Sequence, residues 1–331
     1  MKIISYGEIM LRLQPPTYHL LEQTNQLTFS FVGTGVNLLS SLYRFGHEVA
    51  IVSQVPNNQL GKAAMAEMRK LGIKDNHIGK SGDHMGSYFV ELGFGNRPSI
   101  VTYQNRLASS FCTSGKEAYD FDKIVSWADI VHICGITISL TKETRQSGLT
   151  LARKAKEKGK IICFDFNFRP SLNKDNDINE LKKHYEELLF LSDIVFGTQN
   201  DLTNLLGFKL SDFVREEDQL LNISKQFMNK YNIKNFCGTI RRRDEILGFI
   251  VEDKLYLSPM TKIHTLDRIG SGDAFAAVII NGYAKSWEKE KTLKIAMANS
   301  QLAHATLGDV ALFTEEQLQF FIDNPNLDLL R

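Results

Sequence analysis

The chain has 331 residues, 43% hydrophobic and 23% charged, with a formal net charge of +1. That size and balance fit one α/β domain spanning residues 1–331, and the near-neutral charge carries no footprint for nucleic acid or an anionic membrane surface. No run of about 18 apolar residues is present, so no membrane-spanning helix is expected, and Glu8 breaks the N-terminal apolar stretch before it could serve as a signal-peptide core.

Residues 2–6 read as a buried strand ending at Gly7-Glu8. Residues 9–13 alternate, with Met10 and Arg12 set against Ile9, Leu11 and Leu13, and residues 27–32 alternate again. Gly33-Thr34-Gly35 opens a helix over 36–45 that Gly46 closes. A short strand at 49–52 and a helix at 60–71 follow. Residues 86–94 and 99–105 are strand-like runs around a turn at 95–98. Together with 9–13 and 27–32 they form a second, smaller sheet, half exposed and suited to a lid.

From residue 128 short apolar strands alternate with helices. The strands fall at 130–134, 161–166, 194–196 and 236–240; the helices fall at 142–158, 178–191, 201–206 and 219–231. This grammar predicts a doubly wound, mostly parallel sheet covered on both faces. Residues 247–251 and 254–257 read as a hairpin, residues 291–307 and 315–322 as helices, and 324–331 as a loosely held tail. Ligands of such sheets bind beyond the carboxyl ends of the strands. That rule selects Glu8, Gly135, 165–169, 198–201, 239–241 and 270–273.

The chemistry concentrates in residues 267–275, DRIGSGDAF. Gly270, Ser271 and Gly272 form a turn that feeds a helix, and unpaired N–H groups at a helix start make an anion hole. Asp273 beside such a hole suits a base that takes a proton from an attacking hydroxyl; the competing role is a helix cap. Asp165, Asn167 and Arg169 share one side of a strand end. Tyr88, Tyr103 and Arg106 lie on the small sheet, where they suit a grip on a sugar acid. Gly33 lets a ligand lie against the backbone.

Other chemistries lack their residues. Gly33-Thr34-Gly35 has no third glycine for dinucleotide binding, and Gly61-Lys62-Ala63 is no Walker motif. The eight histidines show no zinc spacing, and no Gly-x-Ser-x-Gly elbow occurs. Cys112, Cys134, Cys163 and Cys237 form no C-x-x-C pair and read as reduced core residues, which points to the cytoplasm. Arg241-Arg242-Arg243 reads as a solvated turn.

From GEIMLRLQPP at 7–16 to HATLGDVAL at 304–312, with DRIGSGDAF between, the chain resembles the ribokinase-like (PfkB) carbohydrate kinases, most of all the 2-keto-3-deoxygluconate kinase branch. The resemblance implies a Rossmann-like domain with a β-sheet lid and ATP-dependent phosphorylation of a sugar acid. It makes Asp273 the base and Gly270–Gly272 the anion hole. Gly33, Tyr88, Tyr103, Arg106, Arg169 and Asp309 fall on its substrate positions. Asp165, Asn167, Arg169, Thr239, Arg241 and Asn299 fall on its ATP positions. The family's metal motif stands here as Thr198-Gln199-Asn200-Asp201, so Asp201 is expected to hold Mg²⁺ through water. Val32 and Gly35 replace a glycine and an acid of the family pattern. A homodimer or higher homo-oligomer through the lid is expected. The competing readings are a neutral-sugar kinase and a non-catalytic sugar-acid-binding protein.

Overall fold

The structure is a computed structural model describing residues 1–173, 176–210 and 215–325. Most of the expected loose tail, 326–331, lies outside the described residues. In chain order the strands are β1 (Lys2–Tyr6), β2 (Met10–Gln14), β3 (Thr28–Val32), β4 (Glu48–Val55), β5 (Ile78–Lys80), β6 (Ser87–Glu91) and β7 (Ile100–Gln104). They continue as β8 (Ile130–Cys134), β9 (Ile161–Asp165), β10 (Ile194–Phe196), β11 (Asn235–Arg242), β12 (Glu245–Val251), β13 (Leu255–Leu257) and β14 (Thr261–Lys262).

The large sheet has the order β13-β12-β11-β10-β9-β8-β1-β4-β5, with β14 paired to β12. Every pairing from β5 to β11 is parallel, and β12 and β13 add an antiparallel edge. Successive side chains alternate between faces, so Ile4 and Tyr6 enter one core while Ile3 enters the other. Two covered faces explain the continuous apolar strands. The helices Gln59–Lys70, Lys142–Glu157 and Ile178–Leu191 begin at Asn58, Thr141 and Asp177, whose side chains accept first-turn N–H bonds.

The second sheet has the order β3-β2-β6-β7. Its pairing registers place Met10, Arg12, Val32, Tyr88, Val101 and Tyr103 on one face and Leu13, Phe29, Phe89 and Ile100 on the other. The first face looks into the cleft described below.

Several expectations change. On β2 the polar residue is the buried one: Arg12 is only 2% exposed, while Leu11 and Leu13 are half-buried. Two acids from elsewhere in the chain wait for it. Residues 201–205 form a π-helical turn. Short helices at Ser110–Thr113, Phe121–Trp127 and Gly135–Leu140 carry too little periodic pattern to read from sequence. Strand β11 runs on to Arg242, so Arg241 and Arg242 are strand residues and Arg243, with φ +49°, makes the turn.

Strand β11 packs closest at Gly238, where a Cβ would overlap the carbonyl oxygen of Gly197 and press on the Phe249 ring. Gly238→Ala should therefore destabilise the fold by about 1–3 kcal/mol. A lowered denaturation midpoint with an unchanged slope checks this; an unchanged midpoint would contradict it.

Candidate active site

The carboxyl ends of β1, β8, β9, β10 and β11 open into a cleft of about 970 Å³, roofed by the inner face of the small sheet. This is where parallel sheets place ligands. Every site residue expected from the sequence lines the cleft except Asn299.

At its centre Gly270 has φ +83° and starts the helix Ser271–Ala284. A Cβ there would overlap the backbone carbonyl of Asp309, so only glycine fits. No side chain among the described residues caps this helix. Its first-turn amides are therefore left for a ligand. A Cβ on Gly272 would meet open space. The Ser271 hydroxyl donates to the Arg268 carbonyl at 2.9 Å.

Asp273, 7% exposed, sits in this first turn. Asn37 Nδ2 donates to its Oδ2 at 2.7 Å, which leaves Oδ1 without a hydrogen-bond partner among the described residues. Burial, with Asp165 and Asp309 adding like charge, pushes its carboxyl up to about 8. A carboxyl in that range can exchange a proton near neutral pH.

The roof supplies the second group of residues. Tyr88 and Tyr103 are register partners on β6 and β7, with ring centroids 6.0 Å apart. Arg106 stacks on Tyr103 at 5.0 Å and is 9% exposed. Its Nε donates to Glu8 Oε2 at 2.8 Å, and Ser109 Oγ donates to Glu8 Oε1 at 3.0 Å. Arg106 Nη1 is buried with no partner among the described residues. Asp309 has both carboxylate oxygens engaged, one by Arg12 and the other by the Tyr88 hydroxyl at 2.8 Å. Gly33 starts the helix Thr34–Arg44, where a Cβ would overlap the Glu8 carbonyl. Val32 is buried beside Met10, Tyr88, Val90 and Leu92 on the inner face of the roof, where it lines the cleft. A Cβ at Gly35 meets Ser5 Oγ at 2.6 Å, so packing against β1 leaves no room there for an acid.

Along the strand ends, Asp165 accepts the Asn167 N–H at 3.0 Å, and Asn167 takes φ +36° to make that turn. Burial, aided by Asp201, raises the Asp165 carboxyl to about 7. Asp201 Oδ2 accepts from Thr198 N at 2.7 Å and Thr198 Oγ1 at 2.8 Å, and burial raises its carboxyl. The exposed Arg169 pulls Asp165, Asp201 and Asp273 downward against burial. Arg241 bonds His304 Nε2 at 3.0 Å and Thr265 Oγ1 at 3.2 Å. Burial and the nearby Arg268 lower the Arg241 pKa, so two cations sit together beside Thr239.

Asn299 is the expected site residue that does not line the cleft. It is fully buried, its Nδ2 donates to the Ala274 carbonyl at 2.9 Å, and it braces the helix behind the anion turn. The sequence reading also passed over Arg12, Asn37, Asp267, Arg268 and His304. Asp267 and Arg268 stood in the quoted motif, and Asn37 stands one turn after Gly33. Arg12 and His304 stood in the quoted stretches 7–16 and 304–312, and nothing in those stretches gave them a role.

The model of the pfkB family of carbohydrate kinases matches residues 1–314. The 2-dehydro-3-deoxygalactonokinase of Haloferax volcanii is 24% identical over 318 residues, 96% of this chain and 95% of its own length. A crystal structure from Enterococcus faecalis, provisionally named a 2-keto-3-deoxygluconate kinase, is 45% identical with a TM-score of 0.97, covering 100% of this chain and 99% of that one. The 2-dehydro-3-deoxygluconokinase structure from Thermotoga maritima is 30% identical with a TM-score of 0.91, covering 98% and 99%. With the family model spanning almost the whole chain and an uncapped glycine turn beside a buried carboxylate, this chain belongs to the pfkB family of carbohydrate kinases.

Proposed function

We propose that this chain transfers the terminal phosphoryl group of ATP to the 6-hydroxyl of 2-keto-3-deoxygluconate. The observation that carries the reading is Asp273, raised to about 8 and aimed from the first turn of an uncapped helix into the cleft. The relatives named for keto-deoxy sugar acids support the substrate class.

In this reading the sugar acid lies under the roof and ATP lies along the strand ends. The hydroxyl oxygen attacks the terminal phosphorus, its proton passes to Asp273 Oδ1, and the bond to the bridging oxygen of ADP breaks. Asn37 holds Oδ2 and so fixes the direction of the free oxygen. The Gly270–Gly272 amides take the charge that builds on the transferring group. Arg169, Arg241 and Arg268 line the path of the phosphates, and Arg106 Nη1 and Arg169 are the donors for the substrate carboxylate. The fully engaged Asp309 acts through Tyr88 rather than as a free acceptor.

A divalent cation fits beside Asp165 and Asp201. Burial holds both carboxyl groups above their usual range, Asp201 raises Asp165 further, and Arg169 offsets this only in part, so a divalent cation would favour their ionised forms. No cluster of three or more potential ligands occurs among the described residues. That suits an Mg²⁺ ion carried by the nucleotide phosphates and held through water by Asp201. Such an ion supplies charge neutralisation on the phosphate oxygens.

One observation favours a neutral sugar instead: Arg106 is already paired with Glu8, which reduces its demand for a substrate carboxylate. An ADP-release assay with ATP and Mg²⁺ decides. Turnover confined to 2-keto-3-deoxygluconate and 2-keto-3-deoxygalactonate supports the sugar-acid reading; turnover on fructose or ribose overturns it; no turnover, with ATP still bound, supports a binding protein. The outer face of the small sheet, where Phe29 is 65% and Ile100 47% exposed, supports pairing of two copies through the lid, and light scattering would test that.

Arg169→Gln should raise the KM for the sugar acid about tenfold or more, since it removes a bidentate charged donor. Its KM for fructose, if fructose is used at all, should not move. Asp273→Asn should lower kcat by about 10²- to 10⁴-fold while ATP still binds. Near-normal turnover would remove Asp273 from the base role.

The same substitution tests the raised carboxyl. The folded value, about 8, exceeds the unfolded value of 3.8, so the folded state binds the proton more tightly. The Asp273 contribution to stability is full below the unfolded pKa and is lost as pH rises toward 8. Asp273→Asn should thus gain Tm over the parent at pH 8.5 and lose that advantage near pH 4. A pH-independent difference would show an ordinary carboxyl.

A further inference from the structure

We propose that Arg12, a residue of the roof strand β2, is a positioning residue that sets the geometry of the anion turn for phosphoryl transfer. This rests on the kinase reading above. Arg12 is among the largest fully buried side chains of the molecule. Its guanidinium bonds Asp267 Oδ2 at 2.6 Å, Asp309 Oδ1, and Gln14 Oε1 at 2.5 Å. The planar fork holds two carboxylates at a set separation, which a point charge cannot do.

Both carboxylates lead to the turn. Asp267 Oδ1 accepts the Ile269 N–H at 3.1 Å, and Oδ2 also accepts the Gly308 N–H at 3.4 Å. The acid thus ties the segment entering Gly270 to the loop that carries Asp309. The Asp309 backbone carbonyl fills the space where a Cβ on Gly270 would lie. A shift of Asp309 must therefore move Gly270 or open a gap beside it. Tyr88, the register partner of Arg12 on the neighbouring roof strand, holds the other oxygen of Asp309. Two adjacent residues of the roof thereby grip the loop that buttresses the anion turn.

A buried ion pair is a poor source of stability compared with an apolar filling of the same volume. Its geometric precision is what an apolar filling lacks. The amides of Gly270–Gly272 act most strongly on the charge that builds on the transferring group in the transition state, so an error in their placement falls on kcat more than on ground-state binding.

Arg12→Lys tests this. The charge stays, but one ammonium cannot span both carboxylates in the fork geometry. The expected result is a fall of about 10²-fold in kcat and kcat/KM together, with both KM values unchanged. Calorimetry adds a readout that needs no turnover. Adenylyl imidodiphosphate should bind at the parental affinity with one site per chain, while ADP with fluoroaluminate, a mimic of the transferring phosphoryl group, should weaken by a factor similar to the loss in kcat.

Parental kcat overturns the proposal. So does a loss of both ligands by the same factor, or a binding stoichiometry that falls in step with kcat, because either marks a merely structural role. If Arg12→Lys does not fold, Asp267→Asn keeps the side-chain volume and carries the same expectations. The kinetic arm uses whichever sugar the parent phosphorylates, so a wrong substrate assignment changes the ligand and not the outcome. The fluoroaluminate arm decides the question even if every sugar is silent.

Discussion

Arg12, Asp267 and Asp309 bring together three segments that are far apart in the chain: a strand of the small sheet, the entry to the anion turn, and the loop after the helix Lys289–His304. The cleft exists because these segments meet. Burying one guanidinium with two carboxylates is tolerable only because each carboxylate has further donors: Tyr88 for Asp309, and backbone N–H groups of Ile269 and Gly308 for Asp267. The small sheet is thus attached to the large one by directional bonds as well as by apolar contact, and its inner face stands at a set height above the turn.

The floor of the cleft has the opposite character. Asp165, Asp201 and Asp273 are all held above their usual carboxyl range by burial, and Arg169 relieves them only in part. Beside them Arg241 and Arg268 repel each other. Such unresolved charge of both signs suits a polyanion that arrives with its own cation. Under the roof the charges are more nearly balanced, because Glu8 already answers Arg106 and leaves Nη1 without a partner among the described residues.

The departures from the family pattern have physical explanations in the packing. Val32 packs beside Tyr88 on the inner face of the small sheet, where it lines the cleft. Gly35 is forced by the approach of Ser5 on β1. The Asn37–Asp273 contact joins the helix that follows Gly33 to the first turn of the helix Ser271–Ala284.

The sequence by itself determined the parallel sheet, the separate small sheet and the glycine turn that opens the helix of Asp273. Each is written in local pattern: apolar strands spaced by helices, alternation on 9–13 and 27–32, and two glycines before Asp273. Glu8, Asp165, Asn167, Arg169, Asp201, Thr239 and Arg241 were legible in the cleft because they sit at strand ends that topology must bring together. Tertiary structure alone decided what periodicity cannot encode. The face of β2 was one such case, because Arg12 is buried only where two distant acids meet it. Asn299 was another: the family resemblance placed it on an ATP position, and packing turned its amide toward the Ala274 carbonyl. The partners of Arg106 and Asp309 were a third, since a side chain's charge is visible in sequence but the group that neutralises it is fixed by contacts about a hundred or more residues away.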